Sequence, residues 1–181
     1  MPTASVQELE RIAQNYAKRG WHVFPVHSIG QDGLCTCSKK QNCDRPGKHP
    51  RWNGQDLPHG LISASTDPGL IQRWWNRWPG SNIAGRTGVG FGLVIVDADL
   101  AKGGVDTWQE LQDIHGPVET LTTLTGDGGN HFIFQDPGIE LKGDANVLGP
   151  GLDTRGQGVA IPAHQRPLLR VGHQNPAGPS A

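Results

Sequence analysis

The sequence lacks most of the features that mark membrane and secreted proteins. It contains no uninterrupted apolar run of the roughly 18 residues that a transmembrane helix needs. Its N-terminus has no basic segment followed by an apolar one, so we expect no secretory leader. Only three of the 181 residues are cysteine, an odd number that disfavours a disulfide framework. These absences predict a cytoplasmic protein without a membrane partner.

The charge is nearly balanced. Sixteen Lys and Arg face 17 Asp and Glu, and the formal net charge of −1 argues against strong non-specific binding of nucleic acid. Basic residues do cluster locally, in Lys39–Lys40 and in Arg45, Lys48 and Arg51. We interpret these clusters as candidate phosphate contacts, with solvated loop charges as the alternative. The phosphate-loop motif ending in Gly-Lys-Ser or Gly-Lys-Thr is absent, so no helicase domain of that type is expected here.

An apolar run followed by two closely spaced aspartates is the most informative feature that is present. Leu93–Val96 predicts a buried strand, because Val and Ile favour strands and glycines bound the run. Asp97 and Asp99 follow, and residues two apart on a strand project from the same face. Adjacent carboxylates repel each other unless a cation such as Mg²⁺ lies between them, so the pair predicts a metal site. A solvated strand end is the alternative.

Residues 125–134 combine a glycine-rich turn with an alternating strand. Gly128 and Gly129 belong to a turn whose N–H groups can approach a phosphate. If Phe132 and Phe134 face the core, His131 lies on the opposite face of the sheet, where a ligand has room to bind. A histidine whose role is structural is the alternative interpretation.

A third acidic residue lies in the glycine-rich segment 149–162. Asp153 precedes Arg155 and a glycine turn, and residues 159–161 predict a short strand. From the residues alone, an Asp-x-Arg pair in such a loop is typical of a turn with a local ion pair.

The three cysteines lie within nine residues of one another. With the histidine that follows, they form the set Cys35, Cys37, Cys43 and His49. Three thiolates and one imidazole complete a tetrahedral set that is typical of structural zinc, so we predict a zinc knuckle over residues 35–49. His27 and His59 are alternative fourth ligands. Three free thiols in a polar loop are the remaining alternative.

The other segments predict a scaffold of helices and strands. Apolar residues recur at helical spacing in residues 5–19, 67–78 and 105–115, and Ser5 with Glu8 suggests a capping box. Strands are expected over residues 21–26, 83–87 and 121–125, and residues 141–147 form a polar connector. This pattern predicts an α+β fold in which the acidic strands form an antiparallel sheet with helices on its other face.

The order of these motifs resembles the bifunctional primase–polymerase (Prim-Pol) domains of the archaeo-eukaryotic primase superfamily. The resemblance runs from Tyr16 to about Pro162 and includes NYAKRGWHVFPV, GKHPR, IQRWWNRWPGSNIAGRTG and LGPGLDTRG. It implies an RRM-like catalytic sheet with covering helices, packed on a small N-terminal α/β unit. The expected domain covers residues 1–164, and the atypical Pro/Gly-rich tail over residues 165–181 is expected to be disordered.

The resemblance also implies roles for single residues. Asp97, Asp99 and Asp153 match the metal carboxylates and would hold two Mg²⁺ or Mn²⁺ ions, with His131 as the remaining catalytic residue. With the glycine turn and the basic cluster, the expected nucleotide-binding residues are His131, Arg155, Gly128, Gly129 and Lys48.

The implied function is a DNA primase/polymerase that adds nucleotides to a template-directed primer, in replication of a mobile element, plasmid or phage. The expected partners are a DNA template and primer, nucleoside triphosphates and a separate replicative helicase. One departure is that the family's Pro-Ser-x-His segment and the aromatic strand after it are missing beyond Pro162, where His164 is the nearest counterpart. Two alternatives therefore stay open: a non-catalytic remnant that binds nucleic acid or nucleotide, and a metal-dependent nuclease or phosphotransferase.

Overall fold

The computed structural model describes residues 6–52, 54–55, 57–125, 128–157 and 160–163. The described helices are α1 (Val6–Lys18), α2 (Pro68–Arg77) and α3 (Gly104–His115). The described strands are β1 (Val23–Val26), β2 (Asn82–Arg86), β3 (Leu93–Ala98), β4 (Leu121–Leu124), β5 (Asn130–Gln135), β6 (Leu152–Arg155) and β7 (Ala160–Ala163). Short 3-10 helices cover Lys40–Asn42, Gly60–Ser63 and Leu100–Lys102. Within these ranges, no helix combines the length and apolar character needed to span a bilayer.

The first sheet carries the larger hydrophobic core. It has the order β1-β2-β7 and is antiparallel, with Phe24 opposite Ala84. Helices α1 and α2 pack together and against this sheet, and the core that they share includes Trp74 and Trp75 of α2, both almost fully buried. The aromatic residues at helical spacing in α2 are therefore core residues. Helix α2 itself confirms the helix predicted over residues 67–78.

The start of α2 follows from its first residues. Asp67 is the N-cap, and its carboxylate accepts a hydrogen bond of 2.6 Å from the backbone N–H of Leu70. Pro68 at the first helical position has no N–H to leave unsatisfied, so this sequence begins a helix well. The helix ends at Arg77, one residue before the predicted end.

The second sheet carries Asp97 and Asp153, and Asp99 directly follows its strand β3. Its order is β4-β5-β3-β6, and every neighbouring pair is antiparallel. Helix α3 covers one face, where Trp108 stacks on Phe132 with ring centroids 4.1 Å apart. Leu93, Ile95 and Ile133 form a separate small cluster, with Trp21 packed against it. Since Ile95 and Ile133 alternate with Val96 and Phe132 along their strands, this cluster lies on the other face.

Two glycines bring the end of β3 and the start of β6 together. A Cβ at Gly104 would lie 2.1 Å from the carbonyl oxygen of Gly151, and a Cβ at Gly151 would lie 2.5 Å from the nitrogen of Gly104. The backbone N–H of Asp99 donates to the same Gly151 carbonyl at 2.9 Å. Only residues without a side chain allow this approach, which brings Asp99 close to the strand that carries Asp153.

Several boundaries differ from those expected. The strand predicted over Leu93–Val96 continues to Ala98 and so includes Asp97, because ladder hydrogen bonds to β5 and β6 extend it. The Asp153–Arg155 segment, interpreted as a loop, is strand β6, because β3 supplies it with a pairing partner.

Some expectations fall outside the described residues. The capping residue Ser5, the family counterpart His164 and the tail over residues 165–181 belong to this group. In the connector, the backbone N–H of Thr154 donates to the Asp144 carbonyl at 2.9 Å, so residues 141–147 lie against the edge of β6.

Candidate active site and cysteine cluster

Three of the predicted catalytic residues form one row across three adjacent strands. In the sheet register, Asp97 of β3 pairs with His131 of β5 on one side and with Asp153 of β6 on the other. Directly paired residues of antiparallel strands project from the same face, with Cβ atoms about 5 Å apart. We call Asp153, Asp97 and His131 the acidic row. It lies on the face opposite α3, and its side chains are 16%, 19% and 11% exposed, respectively.

Arg155 joins the two carboxylates of the acidic row. Its Nη2 atom lies 2.8 Å from Asp97 Oδ2 and 3.2 Å from Asp153 Oδ2. Burial raises the pKa of Asp97, but hydrogen bonds from His131 and Arg155 outweigh burial and bring this pKa down to about 2. The Asp97 carboxylate is therefore ionised at neutral pH and needs positive charge beside it. The local ion pair of Asp153 and Arg155 expected from the sequence is present. Arg155 also contacts Asp97 on the neighbouring strand.

Asp99 lies just beyond the end of β3 and has different partners. One carboxylate oxygen accepts a hydrogen bond from the Ala101 N–H at 3.0 Å, and the other lies 3.0 Å from Lys102 Nζ. The hydrogen bond and charge of Lys102 lower the pKa of Asp99. Asp99 raises the pKa of Lys102, and the charge of Asp153 adds to this effect. Lys102 therefore connects Asp99 electrostatically to the acidic row.

His131 contacts the acidic row through one ring nitrogen. Its Nε2 atom lies 3.4 Å from Asp97 Oδ1. Its Nδ1 atom is buried without a hydrogen-bond partner, and so is the hydroxyl of Thr123, the residue paired with His131 on β4. The His131 side chain is only 11% exposed, so the sheet face expected to be open around it is mostly covered.

The glycine turn packs against the end of β3. A Cβ at Gly129 would lie 2.3 Å from the Ala98 carbonyl oxygen, and one at Gly128 would lie 2.9 Å from the side chain of Leu100. The N–H of Gly128 donates to the Thr125 carbonyl at 3.1 Å, so this group already has a partner within the turn. Both glycines thus have a packing role beside Asp99. Residues 126–127 lie outside the described ranges.

The donor set of the site fits hard divalent cations. Arg155 contacts the carboxylates of Asp97 and Asp153, and Lys102 contacts that of Asp99, so side-chain cations neutralise all three acids. In the described part of the chain, only the cysteine cluster has all its ligand atoms within 4.8 Å of one another. The carboxylates would therefore close around an ion only after these cations moved. Arg155 is 36% exposed and Lys102 is 62% exposed, so both have room to do so.

The cysteine cluster is already assembled. The ligand atoms of Cys35, Cys37, Cys43 and His49 lie within 4.8 Å of one another. His49 Nε2 lies 3.5 Å from Cys35 Sγ and 3.3 Å from Cys43 Sγ. Tetrahedral zinc with ordinary Zn–S and Zn–N bonds separates sulfur and nitrogen ligands by roughly 3.5 Å, so these spacings fit zinc.

The surroundings of the cluster favour a thiolate. Burial raises the pKa of Cys35, but backbone N–H groups of Gly47 and Cys37 and the His49 side chain outweigh burial and lower it to about 6. Burial and the neighbouring Cys35 raise the pKa of Cys43 to about 11. Without a cation, a negative charge on the Cys35 sulfur thus disfavours ionisation of the Cys43 thiol. A bound Zn²⁺ ion would remove this repulsion.

The fourth member of the cluster is His49 rather than either alternative histidine. The His27 ring packs against His49, with centroids 4.5 Å apart, and its Nδ1 atom lies 3.1 Å from Thr36 Oγ1. Burial, together with the charges of Arg51 and His49, lowers the pKa of His27 to about 4. His59 follows Pro58 and is not one of the clustered ligands. His27 therefore supports the ligand histidine from outside the cluster.

Sequence reasoning missed two residues of the acidic site. Lys102 contacts Asp99, and the backbone N–H of Asn146 donates to Asp153 Oδ1 at 3.2 Å. The three-residue spacing of Asp99 and Lys102 was a usable signal, since a helical turn brings such residues together. Asn146 gave no such signal, because its position depends on how the connector lies along β6. Lys48 belongs to the cysteine segment rather than to the sheet that carries the acidic row.

Comparison with known protein families gives a match over most of the chain. A family model described as "Bifunctional DNA primase/polymerase, N-terminal" matches residues 13–173, which include both the cysteine cluster and the whole acidic row. No curated protein matches the chain.

Proposed function

This chain belongs to the bifunctional DNA primase/polymerase family, and from this premise we propose that it adds nucleotides to a template-directed primer. The family implies a nucleotidyltransferase-type enzyme whose substrates are DNA and nucleotides. We further propose that the transfer takes place at Asp97, Asp99, Asp153 and His131. Replication of a mobile element, plasmid or phage, and a separate helicase partner, stay predictions from the resemblance.

The observation that carries the proposal is the register of the central sheet. Asp97 lies between Asp153 and His131 in one row, although these residues come from three segments separated in the sequence. The row places two carboxylates side by side on a mostly covered face, which is favourable only where positive charge neutralises them, as Arg155 does in this structure. Carboxylates that can hold divalent cations, with a hydrogen-bond donor beside them, suit nucleotidyl transfer, and this supports the proposal.

The site residues would divide the work by chemistry. Asp97, Asp99 and Asp153 would hold two Mg²⁺ or Mn²⁺ ions, which supply charge stabilisation and activation of the primer hydroxyl. The chain itself orients the reacting groups: the β3 ladder fixes Asp97, and the Gly104–Gly151 contact holds Asp99 near β6. His131, the third member of the acidic row, would donate a hydrogen bond to the triphosphate.

Arg155 would change partners during binding. In the structure it neutralises Asp97 and Asp153. With cations held by these carboxylates, the guanidinium would be free to bind phosphate oxygens, which match its planar donor arrangement. This exchange accounts for an arginine next to the metal carboxylates. Lys102 would make the same exchange at Asp99. Gly128, Gly129 and Lys48 are further proposed nucleotide contacts.

The strand order supports the finer fold assignment. Along the chain, the second sheet reads β3-α3-β4-β5-β6, which is the ferredoxin-like and RRM-like β-α-β-β-α-β order without its second helix. Residues 136–151 replace that helix with a connector free of helix and strand. We propose that this sheet is the RRM-like catalytic unit and that the β1-β2-β7 sheet with α1 and α2 is the smaller N-terminal unit.

The decisive experiment for the proposal is template-directed primer extension. We expect the parent protein to extend a primer with Mn²⁺ or Mg²⁺, and Asp97→Asn and Asp153→Asn to reduce the rate by at least about 100-fold. Asp113→Asn, the same change on the exposed side of α3, should extend at the parent rate. Extension by either row variant at the parent rate would refute the assignment. Degradation of the primer without nucleotides would identify the nuclease alternative.

We also propose that the cysteine cluster binds one structural zinc ion. Three thiolates and one imidazole leave no open position for a substrate, so the ion would fold the segment rather than take part in the reaction. Elemental analysis of protein purified without added metal should give about one zinc per chain. Cys43→Ser should lose the zinc and lower Tm, whereas Ser38→Ala in the same exposed loop should keep both. A stoichiometry near zero in the parent would exclude this site.

A further inference from the structure

One short segment of the chain carries an excess of positive charge. Residues 39–52, which we call the basic arm, contain five of the Lys and Arg residues and a single acid, Asp44. The arm therefore has a formal charge of +4, while the rest of the chain sums to −5. The overall charge of −1 conceals this separation. A local positive field of this kind attracts polyanions even when the whole protein repels them.

The basic arm is firmly attached to the first sheet. The Arg51 backbone N–H donates to the Pro25 carbonyl of β1 at 3.0 Å, and the Arg51 Nε atom donates to Ser81 Oγ at 3.0 Å. The His27 backbone N–H donates to the His49 carbonyl at 2.8 Å. These bonds anchor the end of the arm, and the cysteine cluster gathers the segment before it. In the sequence, the exposed cations Lys40 and Arg45 lie on either side of Cys43, a member of this cluster.

Trp52 at the end of the arm is an unusual tryptophan. It is 71% exposed, whereas the other five tryptophans are buried or half-buried. Its indole N–H donates to the Pro58 carbonyl at 3.2 Å, which fixes the ring although most of its surface is in contact with solvent. The ring is thus held in place with a flat aromatic face open to solvent, on which a planar ligand could stack.

We propose that the basic arm binds single-stranded DNA, with backbone phosphates on Lys40 and Arg45 and an unpaired base stacked on Trp52. Proteins that hold single strands without sequence preference combine cations for the backbone with aromatic rings for the bases. Duplex DNA offers the phosphates but not a base for Trp52, so the surface favours the single strand. The inference rests on the proposed function, which requires a template strand, and it places part of that strand outside the acidic row.

The test is a binding measurement that needs no catalysis. Fluorescence anisotropy of a labelled oligo(dT) is recorded with zinc-loaded protein, without nucleotide, Mg²⁺ or chelator. We expect Trp52→Ala to weaken binding about 10-fold through loss of one stacked base, and Trp52→Phe to retain most of the affinity. Lys40→Gln and Arg45→Gln should each reduce the slope of log affinity against log salt by about 0.7, the value for one phosphate contact of a single strand.

Matched controls separate the arm from general effects of charge and folding. Arg11→Gln makes the same charge change on exposed α1 and should leave both affinity and salt slope at parent values. Tm and zinc content of every variant should equal those of the parent, since all the altered side chains are exposed. Blunt duplex DNA should compete more weakly than the single strand.

The results that overturn the proposal are distinct from those that overturn the proposed function. Parent-like binding by Trp52→Ala, or the same salt slope for Lys40→Gln as for Arg11→Gln, would exclude the basic arm even if extension is normal. Absence of measurable oligo(dT) binding by the parent, or preference for an acidic peptide over the oligonucleotide, would exclude it as well. If the parent binds through the arm but extends nothing, the surface assignment stands and the polymerase assignment fails.

Discussion

At the residue scale, Arg155 provides the positive charge that neutralises Asp97 and Asp153 in the candidate site. It contacts both carboxylates of the acidic row, and its guanidinium is only about one-third exposed. An arginine in this position stabilises the metal-free protein, but it also competes with the cations that the proposed reaction needs. Stability without metal and affinity for metal should therefore change in opposite directions when Arg155 is replaced.

Replacing Arg155 with methionine tests this competition. We expect Arg155→Met to lower the metal-free free energy of unfolding by about 1–2 kcal/mol, less than for a fully buried pair because solvent screens the guanidinium. Mn²⁺ should then raise Tm by more than it does in the parent. Thermal unfolding of zinc-loaded protein with and without Mn²⁺ measures both effects. Arg155→Lys keeps the charge and should lie between the two, and identical Mn²⁺ shifts in all three proteins would contradict the competition.

The residues of the site differ in how far the sequence could predict them. Asp97 and Asp99 are two apart at the end of an apolar run, so the sequence alone indicates that they lie close together. The contact between Arg155 and Asp97 depends on the register of β6 against β3, 58 positions apart in the chain. No local pattern encodes that register. The partners of Asp99 also could not be predicted, because the strand ends one residue before it and the next residues turn into a 3-10 helix.

At the scale of the elements, the crossing of Gly104 and Gly151 keeps Asp99 beside β6. The backbones there approach more closely than any residue with a Cβ allows. Gly104 is the first residue of α3, so this contact also fixes where the helix begins. The position of Asp99 thus depends on a contact between elements rather than on its own side chain.

A methyl group at this crossing should separate the two elements. We expect Gly104→Ala to lower the free energy of unfolding by about 3 kcal/mol, because its Cβ would lie 2.1 Å from the Gly151 carbonyl oxygen. Gly80→Ala is the matched control, since a Cβ there meets nothing within 4 Å and should change stability by less than about 0.5 kcal/mol. Denaturant unfolding compares them. A parent-like midpoint for Gly104→Ala would show that the crossing is not this tight.

Elements were predicted well where the pattern is local and poorly where pairing creates them. Helix α2 carries its own signals in Asp67, Pro68 and the buried aromatic residues, and it forms close to the expected residues. Strand β6 has only four residues among glycines and charged side chains, and the sequence indicated a loop. It is a strand because β3 pairs with it and buries Leu152. Tertiary pairing overrides weak local preference in such a segment.

At the scale of the whole molecule, the two sheets are joined through a shared apolar contact. Trp21 packs against the core of the first sheet and against the cluster of Leu93, Ile95 and Ile133 on the second. The residue patterns predicted the strands separately, and only the family resemblance implied two packed units, because the division depends on which distant segments pair. A side chain that belongs to both cores should make them unfold together.

Truncation of this contact tests the coupling. We expect the zinc-loaded parent to unfold in one transition, at the same temperature by far-UV circular dichroism and by tryptophan fluorescence. Trp21→Ala should lower the free energy of unfolding by about 3 kcal/mol, since it removes a large side chain shared by two clusters. Trp52→Ala removes the same side chain from the surface and should leave Tm nearly unchanged. Two separate transitions in the parent would show that the sheets are independent.

The measurement that tests the central claim most directly is a Mn²⁺ titration followed by electron paramagnetic resonance, with zinc-loaded protein and a non-hydrolysable nucleoside triphosphate analogue. It observes the ion itself and requires no extension. If Asp97, Asp99 and Asp153 hold the cations, Asp97→Asn and Asp153→Asn should each weaken Mn²⁺ binding by at least about 10-fold, while Asp113→Asn binds Mn²⁺ as the parent does. Mn²⁺ binding of equal affinity in the parent and in both row variants would contradict the account.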